Sequence, residues 1–490
     1  MDGAWSSAAV RRAEAELMPK LKPGALMQRA AAGLAAACVR ELRRSPGHVY
    51  GATVIVLAGP GDNGGDALYA AARLAERGAA VHAVPVMGSR VHRPGAEALV
   101  RAGGRLTDEP PPSCHLLLDG VLGIGGRPGL PDRAADLIAR IDAERTVAVD
   151  VPSGVDVDTG AVPAAAVRAD VTVAFGARKP CHVLGEAALR TGRLELVDIG
   201  LAPHLDPQPP VQIASEEDIA AWWREPRADD DKYTRGVVGV AAGSDRYPGA
   251  AVLAVGGAMA GPAGYVRYAG AAADYVRIRR AEVVCTDSAA EAGRTQAWLV
   301  GPGLGTDEHG LAELRTVLAR PIPAVIDADG LSLIGEHPSL LAERSEAVVL
   351  TPHDREFERL YGSPPGDDRA GAAAALAKRL NCTVLLKGHH TVVAASDGAV
   401  YANQTGRPAL ATAGSGDVLG GFLASLLASG MDGARAAVAA AFLQGRAVRL
   451  ASAGRRTVTA SDIAAALPAA VGTVLSRRDG RGPTSPRRRV

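Results

Sequence analysis

TVIVLAGPGDNGGD, residues 53–66, decides how the chain is read. An unbroken apolar run reaches a glycine, a loop of glycines with Asp62, Asn63 and Asp66 follows, and ALYAAARLAERG at 67–78 then has helical spacing. Strand, glycine-rich turn and helix in that order build the edge of a parallel α/β sheet. The turn satisfies G-x-G-x-x-G, in which backbone N–H groups at a helix start approach a pyrophosphate. A dinucleotide fingerprint also needs an acidic residue ending the next strand. That strand, AAVHAVPV at 79–86, ends without one. The three polar side chains in the loop point instead to contacts with a cation or a polar ligand.

The alternation continues outward from this stretch. A helix is expected near 94–103, a strand at HLLLDG (115–120), a helix near 133–143, and strands at TVAVDVP (146–152), ADVTVAFG (169–176) and LELVDIG (194–200). Residues 9–44 read as helix, first AAVRRAEAELM and then LMQRAAAGLAAACVRELRR. LAPHLDPQPPVQIAS (201–215), rich in proline and without period, reads as a linker. Strand and helix then restart at VVGVAAG (237–243), AGYVRYAG (263–270), RRAEVVC (279–285), AWLVGPG (297–303), AVIDADG (324–330), AVVLTPH (347–353) and TVLLKG (383–388). A hairpin at 391–403 and an alanine-rich helical region from 416 to 452 close the pattern. The expected fold class is α/β in two tandem domains, a Rossmann-like parallel sheet followed by a second α/β domain.

Composition narrows the partners. Among 490 residues, 54 Lys+Arg against 53 Asp+Glu leave no field for a polyanion, and aromatics at 3% leave few platforms for bases. Nucleic acid is therefore not an expected partner. The N-terminus carries charge where a signal peptide needs an apolar core, and the uncharged stretch 247–266 is broken by glycine and by Pro248 and Pro262. Five dispersed cysteines form no C-x-x-C. These features predict a cytoplasmic protein without a membrane partner.

Chemistry gathers at strand ends, where open parallel sheets bind ligands. In the first half Asp119 precedes Gly120, Asp150 precedes Val151-Pro152-Ser153, and Asn63 lies in the opening loop. Hard oxygen donors of this kind suit an alkali or alkaline-earth ion, and an Asp in a cleft can act as a proton-transfer base. In the second half Gly414-Ser415-Gly416-Asp417 precedes a long apolar helix. An anion hole there suits transferring phosphate oxygens, with Asp417 taking a proton from an attacking hydroxyl. Lys387-Gly388-His389-His390-Thr391 follows a strand and can reach nucleotide phosphates, with Asn403 near it in sequence. The His389-His390 pair lacks a suitably spaced third metal ligand. Walker A and protein-kinase signatures are missing from the sequence.

Together these motifs resemble a known family. GPGDNGGD (59–66), LLLDGVLG (116–123) and DVPSGVDVDTG (150–160) resemble the NAD(P)H-hydrate epimerases. KYTRG (232–236), AAGSDRYPGAA (241–251), GPGLG (301–305), TPHDREF (351–357), LKGHHT (386–391) and TAGSGDVLGG (412–421) resemble the ADP- or ATP-dependent NAD(P)H-hydrate dehydratases, a ribokinase-like fold. The resemblance implies an epimerase domain over 1–213, a dehydratase domain over 214–477 and a basic, disordered tail over 478–490. Asn63, Asp119 and Ser153 would hold K+. Asp62, Asn63, Gly64, Gly65 and Asp66, with Gly123, Ile124, Gly125, Gly126, Arg127, Pro128, Gly129 and Asp150, would contact the hydrated nucleotide, Asp150 as the base. In the second domain Ala250, Gly303, Gly305, His353 and Asp417 would line the hydrate, with Asp417 catalytic. Lys387, Gly388, His389, His390, Thr391 and Gly416 would bind ADP, accompanied by Mg2+.

The implied substrates are hydrated NADH and NADPH with ADP, and the implied assembly is a homo-oligomer. Three places depart from the family pattern: Asp62 stands where Asn is usual, GIGGRPG follows Leu122 where a GTG-type loop is usual, and 261–264 reads Gly-Pro-Ala-Gly. Two other readings fit parts of the chain. A small-molecule kinase would use the second half and make a stable phosphorylated product, and a non-enzymatic binding module would account for the first.

Overall fold

Apolar β-branched runs make strands buried on both faces, and the helices between them must cover those faces. The computed structural model, which describes residues 2–342, 344–454 and 457–478, shows this arrangement twice. One compact unit is Gly3–Val211 and the next begins at Gln212. The tail 478–490 lies outside the described residues save for its first.

The first unit is built on strands Thr53–Ala58, Ala80–Pro85, Arg105–Leu106, Leu116–Gly120, Thr146–Val149, Val171–Phe175 and Arg193–Val197. Numbered along the chain their order is 3-2-1-4-5-6-7, and every pairing is parallel. The direction of winding reverses between Thr53–Ala58 and Leu116–Gly120, which opens a crevice at their carboxyl ends. Helix Ala25–Arg44 covers one face with Ala30, Ala31, Leu34, Ala35, Cys38 and Leu42, a stripe at helical spacing. The two helical runs read within 9–44 are the helices Ser7–Leu17 and Ala25–Arg44, parted by Pro19, Pro23 and the left-handed Gly24 (φ 77°). The separate helix Ser7–Leu17 matters below.

The second unit repeats the principle with Val237–Ala241, Tyr265–Ala269, Val284–Thr286, Ala297–Val300, Ala324–Ile326, Val348–Leu350 and Thr383–Leu386, all parallel. The expected hairpin follows as antiparallel Val392–Ala394 and Val400–Ala402. Here winding reverses between Val237–Ala241 and Ala297–Val300. The alanine-rich region 416–452 is two helices, Ser415–Ala428 and Gly433–Ala451, parted by Gly430 (φ 94°) with Asp432 capping the second. The segment 201–215 is more ordered than a linker. Its Val211–Ile213 forms a strand in which Gln212 pairs with Tyr401. No helix among the described residues is long and apolar enough to cross a membrane.

Candidate functional sites

In the first unit, Asp62 to Asp66 occupy the first turn of helix Asp62–Ala75 and are not a free loop. Close approach explains the glycines. A Cβ on Gly59 would lie 2.1 Å from Val121 O, and one on Gly64 2.0 Å from Gly59 O. Both therefore serve backbone packing across the crevice. A Cβ on Gly61 meets nothing within 4 Å, so that backbone alone is open to a ligand.

Asp119 is fully buried at the end of its strand. It accepts from Ser153 N at 2.8 Å, from Ser153 Oγ at 2.6 Å and from Val121 N at 3.3 Å. Burial pushes its carboxyl up to about 6 in spite of these donors. Ser153 Oγ also accepts from Leu122 N at 2.9 Å, and Asn63 Nδ2 donates to Leu122 O at 3.0 Å. A Cβ on Gly123 would sit 3.1 Å from Asn63 Oδ1, so glycine there keeps the amide oxygen open. Asn63, through its amide nitrogen, and Ser153, through its hydroxyl, thus meet at Leu122, with Asp119 bonded to Ser153. Of 123–129, Ile124 packs into apolar clusters, Arg127 and Pro128 are exposed, and Gly126 N and Gly129 N bond to Gly123 O and Gly154 O.

Asp150 follows its strand with φ 64°, a strained value for a residue with a side chain. The surroundings hold it there. Its Oδ1 accepts from Phe175 N at 2.9 Å and from Lys179 Nζ, and its carbonyl bonds to His182 Nε2 at 2.9 Å. Lys179 N donates to His182 Nδ1 at 3.1 Å, so Nε2 carries the ring proton. Burial, then the Lys179 charge, pulls the imidazole down to about 3 and keeps it neutral. Lys179 and His182, both buried, are residues that sequence reasoning missed. A cavity of about 320 Å³ beside them is lined by Glu14, Lys22, Asp62, Asp66, Phe175 and Ile199, among others.

In the second unit Gly303, His353 and Lys387 follow the carboxyl ends of strands, while Ala250 and Asp417 lie in the first turns of helices. Gly303 (φ 63°) would place a Cβ 3.0 Å from Ala250 Cβ, so those two candidates adjoin. Gly305 N donates to Asp329 Oδ2 at 2.9 Å. His353 caps helix Asp354–Tyr361: Glu356 N donates to its Nδ1 at 3.2 Å and its own N donates to Glu356 Oε2 at 2.9 Å. Lys387 Nζ bonds Asp327 Oδ1 at 2.8 Å and lies 3.6 Å from Glu356 Oε2. A Cβ on Gly416 would lie 3.4 Å from Lys387 Nζ and 3.5 Å from Asp327 Oδ2, so this helix start closes on the same group. Asp417, in the first turn of Ser415–Ala428, is pushed up to about 7, first by burial and then by Asp327.

The remaining candidates are spread around this centre. Thr391 Oγ donates to Gly388 O at 3.2 Å, His389 and His390 stand edge to face, and burial pulls His390 down to about 4. Asn403 is buried and spent on the local fold, its Oδ1 accepting from Thr405 Oγ at 2.9 Å. Asp327 and Glu356 are residues whose place beside Lys387 no local signal showed.

Two parallel-sheet units, each with carboxylates and an ammonium at its strand ends, define a bifunctional α/β enzyme. The family described as NAD(P)H-hydrate dehydratase matches residues 238–469, and that described as YjeF-related protein N-terminus matches 23–181. The bifunctional NAD(P)H-hydrate repair enzyme of Mycobacterium tuberculosis (strain ATCC 25618 / H37Rv) is 50% identical over 436 residues, 88% of this chain and 90% of that one. The enzyme so named from Mycobacterium leprae (strain TN) is 48% identical over 451 residues, 92% and 94% of the two chains. The crystal structure of an ADP/ATP-dependent NAD(P)H-hydrate dehydratase from Bacillus subtilis, co-crystallized with ATP/Mg2+, is similar with a TM-score of 0.50 at 30% identity. It covers 54% of this chain and 99% of that one. The chain belongs to the family of bifunctional NAD(P)H-hydrate repair enzymes.

Proposed function

We propose that the first unit interconverts the R and S hydrates of NADH and NADPH, and that the second dehydrates the S hydrate with ADP, releasing AMP and phosphate. The observation that carries the reading is Asp417, at a helix start, with its carboxyl raised to about 7 and Gly416 leaving space beside Lys387. A carboxylate with that affinity takes a proton near neutral pH. It accepts the proton of the hydrate hydroxyl as that oxygen bonds to the terminal phosphorus of ADP and the bond to AMP breaks. The C–O bond then breaks with loss of a ring proton, phosphate leaves, and the dihydropyridine is restored. N–H groups of the helix start hold phosphate oxygens, with Lys387 to Thr391 on the nucleotide and Ala250, Gly303, Gly305 and His353 on the hydrate. Mg2+ would accompany the nucleotide and neutralise phosphate charge; Asp327 and Glu356 are carboxylates suited to hold it.

In the first unit Asp150 is the base, oriented by Lys179 and by the bond from His182. Residues 62–66 and 123–129 contact the nucleotide. Asn63 Oδ1, Asp119 and Ser153 Oγ offer hard oxygen donors of the kind that suits K+, and the ion would supply a fixed positive charge next to the substrate. The extents assigned are 1–213 and 214–477, in a cytoplasmic homo-oligomer; size-exclusion chromatography with light scattering reads the assembly. The test mixes the protein with both NADH hydrates, ADP and Mg2+ and follows absorbance of the reduced nicotinamide. The expected result is complete recovery with ADP, and an absorbance that never rises on adding ADP would overturn the reading.

A further inference from the structure

Helix Ser7–Leu17 precedes residue 23, where the match to the first family begins, yet one face of it is turned to the first site. Ser7 N and Ser7 Oγ both donate to the Asp158 carboxylate at 2.7 Å. Arg11 Nη2 donates to Ile124 O at 2.8 Å, in the stretch that departs from the family pattern. Glu14 lines the cavity with Asp62 and Asp66. Residues 7, 11 and 14 share a face at the i, i+4, i+7 spacing. The helix is therefore tied at two points and puts a carboxyl at a third.

The cavity holds one group to which the mechanism above gives no part in proton transfer. Asp66 is 9% exposed, and its Oδ1 is buried with no hydrogen-bond partner among the described residues. A bare buried carboxylate is costly, whereas a protonated carboxyl costs less and one that gains a ligand recovers a partner. The charged groups around it are Glu14 and Arg11 from the first helix, Lys22 from the segment before Ala25–Arg44, Asp62 from its own turn, and Asp150 with Lys179 from the strand ends. Burial and then the carboxylates of Asp150, Asp62 and Glu14 raise Asp66 well above the usual range.

We propose that Asp66 is the proton donor of the epimerisation, the counterpart of the base Asp150, and that helix Ser7–Leu17 completes the cavity and contributes Glu14 as a positioning residue. The inference rests on the hydrate reading of the first unit. Asp66 gives its proton to the hydroxyl on the hydrated ring carbon. The C–O bond breaks, water leaves, and the lone pair of the ring nitrogen forms a C=N bond. Water adds to the other face of that carbon, the C=N pair returns to nitrogen, and Asp150 takes the proton released. The reverse reaction, or exchange with solvent, restores both groups. Glu14 adds negative charge to the cavity and helps keep the proton on Asp66.

The experiment measures R-to-S equilibration by the full chain from pH 5 to 9, with ADP-dependent dehydration of pure S hydrate as an internal control. Asp66→Asn is expected to slow equilibration by at least about 100-fold with dehydration of the S hydrate unchanged. In Glu14→Gln the alkaline limb of the equilibration profile moves to lower pH, with kcat reduced and KM held, because removing a carboxylate lets Asp66 ionise sooner. Glu14→Asp restores the limb. Glu14 is only partly buried, so this variant reads the inference even where Asp66→Asn unfolds the unit. Equilibration that persists in Asp66→Asn, or a Glu14→Gln profile that overlies the parent, overturns the inference while leaving the hydrate reading intact. A parent protein that does not equilibrate the hydrates overturns both.

Discussion

The two sites are made from the same parts and differ in where the ammonium goes. In the first unit Lys179 is bonded to Asp150 itself, the carboxylate assigned as base. In the second, Lys387 is bonded to Asp327 and lies near Glu356, the neighbours of the acting carboxylate, which is raised to about 7. An opposite charge in direct contact favours the ionised form, while burial and like charges disfavour it. The placement of one lysine therefore separates the carboxyl bonded to a cation from the one that is not. In the second unit the carboxyl not bonded to it is Asp417, raised to about 7, and in the first it is Asp66, raised well above the usual range.

Asp417→Asn tests the comparison most severely. It should lower ADP-dependent recovery of the reduced nicotinamide by about 10²–10⁴-fold while R-to-S equilibration stays at the parent rate. Recovery above a tenth of the parent rate would break the parallel with Asp150. Next comes Lys179→Met. Lys179 is 1% exposed, so its loss leaves a buried charge unpaired and should destabilise the first unit by about 3–5 kcal/mol. Lys387→Met, at a side chain 21% exposed, should cost less. Amide exchange of Val171–Phe175 and Thr383–Leu386 reads the two effects separately.

Packing gives a smaller contrast. A Cβ on Gly421 would lie 1.9 Å from Ala254 O, where helices Ser415–Ala428 and Pro248–Met259 cross. Gly421→Ala should cost about 1–3 kcal/mol in urea unfolding, whereas Gly61→Ala, opening to empty space, should cost almost nothing. The smallest effect concerns pH. Asp417 acts when deprotonated, so dehydration should fall as pH drops through about 7. Glu356 raises Asp417, so Glu356→Gln should move that acid limb downward, by under about one unit, or 1.36 kcal/mol. A limb that stays or moves upward would show that Glu356 does not tune Asp417.

The strand ends were legible because a parallel sheet announces them locally: an apolar run stops, and glycine, Asp or Asn follows. Asn63, Asp119 and Asp150 were singled out in that way, Asp417 by the glycines ahead of a long apolar helix, and the two α/β units by the alternation itself. Lys179 and Asp327 were not, because what gives them meaning is a partner 29 or 60 residues away, brought in by strand register. Glu14 was read only as part of an amphipathic helix. The break at Gly430 was missed because alanine-rich helical spacing continues on both sides of it. The segment 201–215 does hold the division between the two units, after Val211, but its prolines hid a three-residue strand in which Gln212 pairs with Tyr401.

His182 offers a way to watch the first site without any substrate. Its ring is buried and uncharged, and its Nε2 proton is committed to the carbonyl of Asp150. A proton so shielded exchanges slowly with water. It should therefore give a persistent, far-shifted imidazole resonance in a proton NMR spectrum. Because the bond ends on the one strained backbone position of that strand end, loss of the signal would report relaxation of Asp150 before any change in rate was measured.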